Sequence, residues 1–126
     1  MSDITSFLGT RLDEAEAATR ALLAESQRVS VALKEPRLLG KEIPGWGSWR
    51  AVEQMGTDRL ADVEAKRRIL DLHTPQRIGV FVDLSCPTCW HTTTDPTRRE
   101  EHPCRTLRCL ALPYATHPDY RQEWKP

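Results

Sequence analysis

Residues 84–104 read LSCPTCWHTTTDPTRREEHPC. Cys86 and Cys89 stand at the Cys-x-x-Cys spacing with which one tight turn offers two thiolates to a tetrahedral ion, whose ligand atoms lie about 4 Å apart. Cys104 follows Pro103, a residue suited to the first turn of a helix. Its sulfur is therefore expected at a helix N-terminus, where the positive end of the dipole favours a thiolate. The loop from Trp90 to Glu101 has almost no apolar residues, so burial cannot fix it and a bound ion would. The pattern predicts one structural Zn2+ held by a zinc knuckle. Cysteines that are merely small buried residues rarely arrive in this arrangement. A redox role for CPTC needs a βαβ setting, and no such pattern precedes the motif.

The fourth ligand is open to several residues. Cys109 is five positions beyond Cys104, which on a helix is about 140° around the axis. Cys104 shares its arc with Leu107, Leu110 and Ala111, so Cys109 is expected to point elsewhere. His91 and His102 are near in sequence but would each need a tight chelate loop. His73 closes an amphipathic stretch and faces inward, with enough chain before Cys86 to return to the ion. The expected ligand set is His73, Cys86, Cys89 and Cys104, with Cys109, His102 and His91 as alternatives.

Upstream, TDRLADVEAKRRILDLH (57–73) puts Leu60, Val63, Ile69, Leu70 and His73 on one broad arc, predicting a helix that starts at Thr57 or Asp58. Arg77–Leu84, RIGVFVDL, predicts a strand. Residues 36–56 form a Gly/Pro/Trp-rich connector, with Ser48 capping a short segment and Trp46 and Trp49 expected as core plugs. Residues 3 to about 33 read as one amphipathic helix capped by Ser2 or Asp3. Its stripe is Ile4, Leu8, Leu12, Ala15, Leu22, Val29 and Leu33, with Thr19 and Ser26 filling the gaps. Downstream, a helix is expected from Pro103 to about Leu112. The tail HPDYRQEWKP is expected to fold back and bury Tyr120 and Trp124.

The architecture expected is mainly α with a short β element: a small helical domain stapled by the knuckle, 126 residues as a single domain,. Its parts are an N-terminal helix (1–35), the connector (36–56), and a helix, knuckle and tail (57–126). The two long helices are expected to pack antiparallel.

Eighteen Lys and Arg balance eighteen Asp and Glu, which gives little support to nucleic-acid binding, a process driven by clustered basic groups. The basic run Lys66-Arg67-Arg68 is flanked by acids and reads as a wet helix face. No apolar run approaches bilayer length. No signal peptide is legible, and the cytoplasm is the expected location.

Several stretches are similar to a known family. Val63–Leu70 ending at His73, Pro103–Arg108 with Leu110–Tyr114, the closing HPDY-x3-W of His117–Trp124, and the acidic opening helix Phe7–Arg20 resemble a family of small uncharacterised actinobacterial and actinophage proteins, a domain of unknown function. The resemblance spans most of the chain outside roughly residues 25–56. It implies an intracellular bacterial or phage protein with no assigned activity. In that pattern Cys109 corresponds to an aliphatic position while His73 and Cys104 fit motif positions.

No nucleophile elbow, phosphate loop or HExxH is present, and three cysteines with a histidine make a closed set, unlike a catalytic site. The expected function is a zinc-stabilised module that binds another protein rather than an enzyme. The alternative is a nucleic-acid-binding regulator using Arg98, Arg99, Arg105 and Arg108.

Overall fold

The computed structural model describes residues 3–33, 42–43, 47–77, 84–90 and 99–126. These form α1 (Ile4–Leu33), β1 (Glu42–Ile43), β2 (Gly47–Ser48), α2 (Trp49–Leu72), β3 (Gln76–Arg77), β4 (Leu84–Trp90), β5 (Arg99–Glu101) and α3 (Arg105–Ala111). Two 3-10 turns follow, at Leu112–Tyr114 and Gln122–Trp124. The protein is mainly helical with a short sheet of order β3-β4-β5, all antiparallel, and β1 and β2 pair as a separate hairpin. The expectations for Pro36–Gly40, Trp46, residues 78–83 and the loop 91–98 lie outside the described residues, as does the side chain of Trp49. Among the described residues no helix is long and apolar enough to cross a membrane.

Two compact units divide the chain: Met1–Arg11 with Lys66–Pro126, and Leu12–Ala65. The first contains the core. Ile4, Phe7 and Leu8 of α1 meet Cys86, Cys104, Leu107, Ala111, Tyr120 and Trp124, with Leu70 packed against them. The tail is buried as expected: Tyr120 and Trp124 are only 6% and 3% exposed. Phe7, absent from the expected stripe, is what they pack on. Its ring lies 5.0 Å from Trp124 and 6.2 Å from Tyr120, with Tyr114 at 6.1 Å. Such tilted and edge-on contacts suit the aromatic quadrupole. Arg11 is buried as well, its guanidinium 5.4 Å from the Phe7 centroid and in contact with the His117 ring.

Asp3 is the cap of α1. Its carboxylate accepts the Ser6 N–H at 2.9 Å and the Thr5 hydroxyl, satisfying a donor that the first turn leaves open. Burial raises the Asp3 pKa, but the hydrogen bonds from Thr5 and Ser6 outweigh it and hold the carboxyl below its usual value. The cap is therefore intact above that usual value and weakens as the pH falls through the lowered one.

In the second unit Leu12, Thr19, Ser26 and Val63 are buried. Thr19 bonds back to the Ala15 carbonyl at 2.7 Å. Leu22, expected in the stripe, is 48% exposed instead. The helix expected to start at Thr57 or Asp58 starts at Trp49 and runs straight through Gly56. A helix-interior glycine costs only about 1 kcal/mol relative to alanine, and at this position it makes room. A Cβ on Gly56 would stand 2.4 Å from Leu23 Cδ2 and 2.8 Å from its Cγ, whereas one on Gly9 would meet nothing within 4 Å. The same substitution should therefore have opposite signs at the two sites. Gly9→Ala is expected to stabilise by about 1 kcal/mol. Gly56→Ala is expected to destabilise by about 1 kcal/mol net, because overpacking typically costs about 1–3 kcal/mol. Urea titration of the two variants measures both.

Candidate metal centre

Three separate elements of the first unit deliver the site. His73 follows the last residue of α2, and its backbone N–H still bonds to Ile69 and Leu70 carbonyls at 3.2 and 3.1 Å. The helix geometry thus carries the imidazole inward, to 8% exposure. Cys86 and Cys89 lie within β4 where its pairing with β5 slips: Ser85 faces Glu101 and Trp90 faces Arg99. Five steps along β4 are matched by two along β5, so the Cys-Pro-Thr-Cys turn bulges out of the ladder as a knuckle. The Thr88 hydroxyl donates to the Leu72 carbonyl and pins the knuckle to the end of α2. Cys104 is the N-cap of α3 but makes no side-chain cap bond. Glu100 of β5 caps instead, accepting the Arg105 N–H at 2.8 Å, which leaves the Cys104 sulfur free to face the cluster.

The four ligand atoms lie within 4.8 Å of one another. His73 Nδ1 is 3.2 Å from Cys86 Sγ, 3.3 Å from Cys89 Sγ and 3.6 Å from Cys104 Sγ. Zinc bonds of about 2.3 Å to sulfur and about 2.0 Å to nitrogen, set at tetrahedral angles, separate N from S by about 3.5 Å. The observed distances bracket that figure. The Cys89 N–H points at Cys86 Sγ at 3.3 Å, and Thr106 Oγ1 stands 3.5 Å from Cys89 Sγ. Both groups can donate to thiolates and support charge on the sulfurs.

Burial pushes the Cys104 thiol up to about 12, with the neighbouring thiols adding to it. Burial also raises the Cys89 thiol, the Thr106 hydroxyl opposing it. Thiols so placed stay protonated at neutral pH by themselves. A divalent cation reverses that preference, because a coordinating thiol is deprotonated outright. The donors fit a zinc-type ion, being three soft sulfurs and one imidazole with no carboxylate.

Other sequence candidates sit elsewhere. Cys109 is exposed. His102 is half-buried outside the cluster; burial lowers its pKa while Asp3 pulls the other way. His91 is outside the described residues. Sequence reasoning missed Thr88, Thr106 and Glu100, which bond to or touch the elements that carry the cluster. Thr88 lies inside the motif, but nothing in the spacing signals the other two.

The fold and cluster define a small, mainly helical protein with a buried Cys3His group able to hold one metal ion. The chain belongs to the DUF6221 family, a family of unknown function, whose model matches residues 1–126. Comparison with curated proteins and with solved structures gives no match.

Proposed function

We propose that the cluster holds one structural zinc ion and that the protein is a zinc-stapled module that binds another protein. The observation carrying the first half is the convergence of His73 Nδ1 and three cysteine sulfurs within 4.8 Å. Four protein ligands complete a tetrahedron and leave no position for water or substrate, the mark of a structural rather than a catalytic site. When bound, the ion would draw the thiol protons off and fasten the end of α2, the knuckle and the start of α3 to one point. His73 would bring α2, Cys86 and Cys89 the sheet, and Cys104 the C-terminal helix.

The second half rests on balanced charge, with eighteen groups of each sign, and on the lack of any catalytic sequence motif. Three thiols kept ready for a metal suit the reducing cytoplasm. An actinobacterial or phage source is proposed from the sequence resemblance alone.

The test uses protein purified without a histidine tag. Elemental analysis should give one zinc per chain. His73→Ala should lower zinc retention against a competing chelator, whereas Cys109→Ser should not. Metal-free protein that keeps its thermal stability, or equal effects of the two substitutions, would overturn the assignment. Tight, salt-sensitive binding to DNA or RNA would replace the protein-binding half.

A further inference from the structure

The four side chains of the cluster are not equally sheltered. Cys86 and Cys104 are completely buried and His73 is 8% exposed, whereas Cys89 is only half-buried. A small molecule arriving from solvent therefore meets the Cys89 sulfur first. Cys86 lies on the same turn, three residues earlier, and the Cys89 N–H stands 3.3 Å from its sulfur. The ligand atoms all lie within 4.8 Å of one another, and a disulfide sets its two sulfurs about 2.05 Å apart. Joining Cys89 to Cys86 asks for adjustment within one turn of β4, whereas joining it to Cys104 would have to draw in the start of α3. Thr106 is the one group that touches the more open sulfur from another element, its hydroxyl 3.5 Å from Cys89 Sγ.

We propose that Cys89 is a site of oxidation by hydroperoxides, and that its oxidation releases the metal by joining it to Cys86. The inference rests on the zinc assignment, because a bound ion holds the sulfur as a thiolate, and the thiolate is the nucleophile. Cys89 Sγ attacks one peroxide oxygen; an S–O bond forms, the O–O bond breaks, and hydroxide leaves. Cys86 Sγ then attacks the resulting sulfenic sulfur; the S–S bond forms, the S–O bond breaks, and a second hydroxide leaves. Two protons from solvent turn both hydroxides into water. Each sulfur gives up one electron and the peroxide takes the two. Only His73 and Cys104 are then left to the ion, too few for a four-coordinate zinc site. The end of α2, the knuckle and the start of α3 lose their common anchor, so the oxidant is read out as loss of order. Thr106 slows the first step, because a hydrogen bond to the sulfur lowers its basicity and nucleophilicity falls with basicity.

The test treats the full, zinc-loaded chain with hydrogen peroxide in the presence of a chromogenic zinc chelator, and maps the cysteines by mass spectrometry of alkylated peptides. Release of the whole zinc content is expected, in step with a Cys86–Cys89 disulfide, and dithiothreitol with added zinc should restore the loaded state. Cys109→Ser should release zinc at the wild-type rate, because the exposed Cys109 takes no part. Thr106→Val, which keeps the shape and removes the hydroxyl, should release it faster, by about threefold. Zinc that stays bound while peroxide oxidises Cys109 overturns the proposal and leaves the zinc assignment standing. A disulfide from which Cys89 is absent overturns it too, as does a release rate set by Cys109. An unchanged rate in Thr106→Val overturns the part given to Thr106. A chain that binds no zinc before peroxide is added overturns the zinc assignment and this inference together.

Discussion

If the cluster holds the proposed zinc ion, stripping it is expected to unfold at least residues 73–112. The segment joins the end of α2, three short strands and α3, a helix of seven residues that is far too short to persist alone. Structural zinc supplies on the order of 10 kcal/mol to small domains, while an entire domain is stable by only about 5–15 kcal/mol. Removal of the ion should therefore abolish the cooperative thermal transition of this unit rather than shift it by a few degrees. Circular dichroism and tryptophan fluorescence, recorded before and after a strong chelator and again after zinc is restored, measure the effect. Acid should act in the same direction. Binding must expel the protons that burial keeps on Cys89 and Cys104, so apparent affinity falls as the pH drops. A chelated protein that keeps its transition would show that the core alone holds the unit.

Trp124→Ala is expected to cost about 3–5 kcal/mol. Trp124 is 3% exposed, tilted against Phe7 at 5.0 Å and perpendicular to Tyr120 at 5.6 Å. The Arg121 guanidinium covers it at 5.7 Å. It belongs to the same buried cluster as Cys86 and Cys104, so its loss should loosen the core around them. Tyr120→Phe is the contrasting case. The Tyr120 hydroxyl is buried with no hydrogen-bond partner among the described residues, and its removal should be neutral or stabilising because nothing is left unpaired. Denaturant titration of both variants reads the difference. A tail that serves only as a partner-binding arm would leave Trp124→Ala as stable as the wild type.

The clustering of His73, Cys86, Cys89 and Cys104 was legible because its signals are local. Cys-x-x-Cys, a cysteine at a helix start and an inward histidine at a helix end are each written within a few residues. The long α1 was legible from its period, and its extent Ile4–Leu33 is close to the expected residues 3–33. Errors arose where tertiary contact overrode a local rule. Residues 36–56 read as a connector, yet α2 already begins at Trp49 and runs through Gly56, where Leu23 approaches closely. Pro103 reads as a first-turn residue, whereas α3 begins at Arg105 with Cys104 as its cap. Leu22 fits the period of the stripe but is 48% exposed, while Thr19 and Ser26, expected only to fill its gaps, are buried. Phe7 could not be identified as the hub of the tail, since nothing near it in sequence points to residues 114–124.

The pairing of Met1–Arg11 with Lys66–Pro126 in one unit has a consequence for biosynthesis. The ribosome releases Ile4, Phe7 and Leu8 first, but their partners Leu107, Tyr120 and Trp124 emerge about a hundred residues later. At translation rates of about 5–20 residues per second, those three apolar side chains remain uncovered for several seconds. The cluster of His73, Cys86, Cys89 and Cys104 likewise becomes complete only when Cys104 leaves the exit tunnel. Native packing of this unit is thus a late event in synthesis, and the opening turns of α1 are the part of the nascent chain most in need of protection until then.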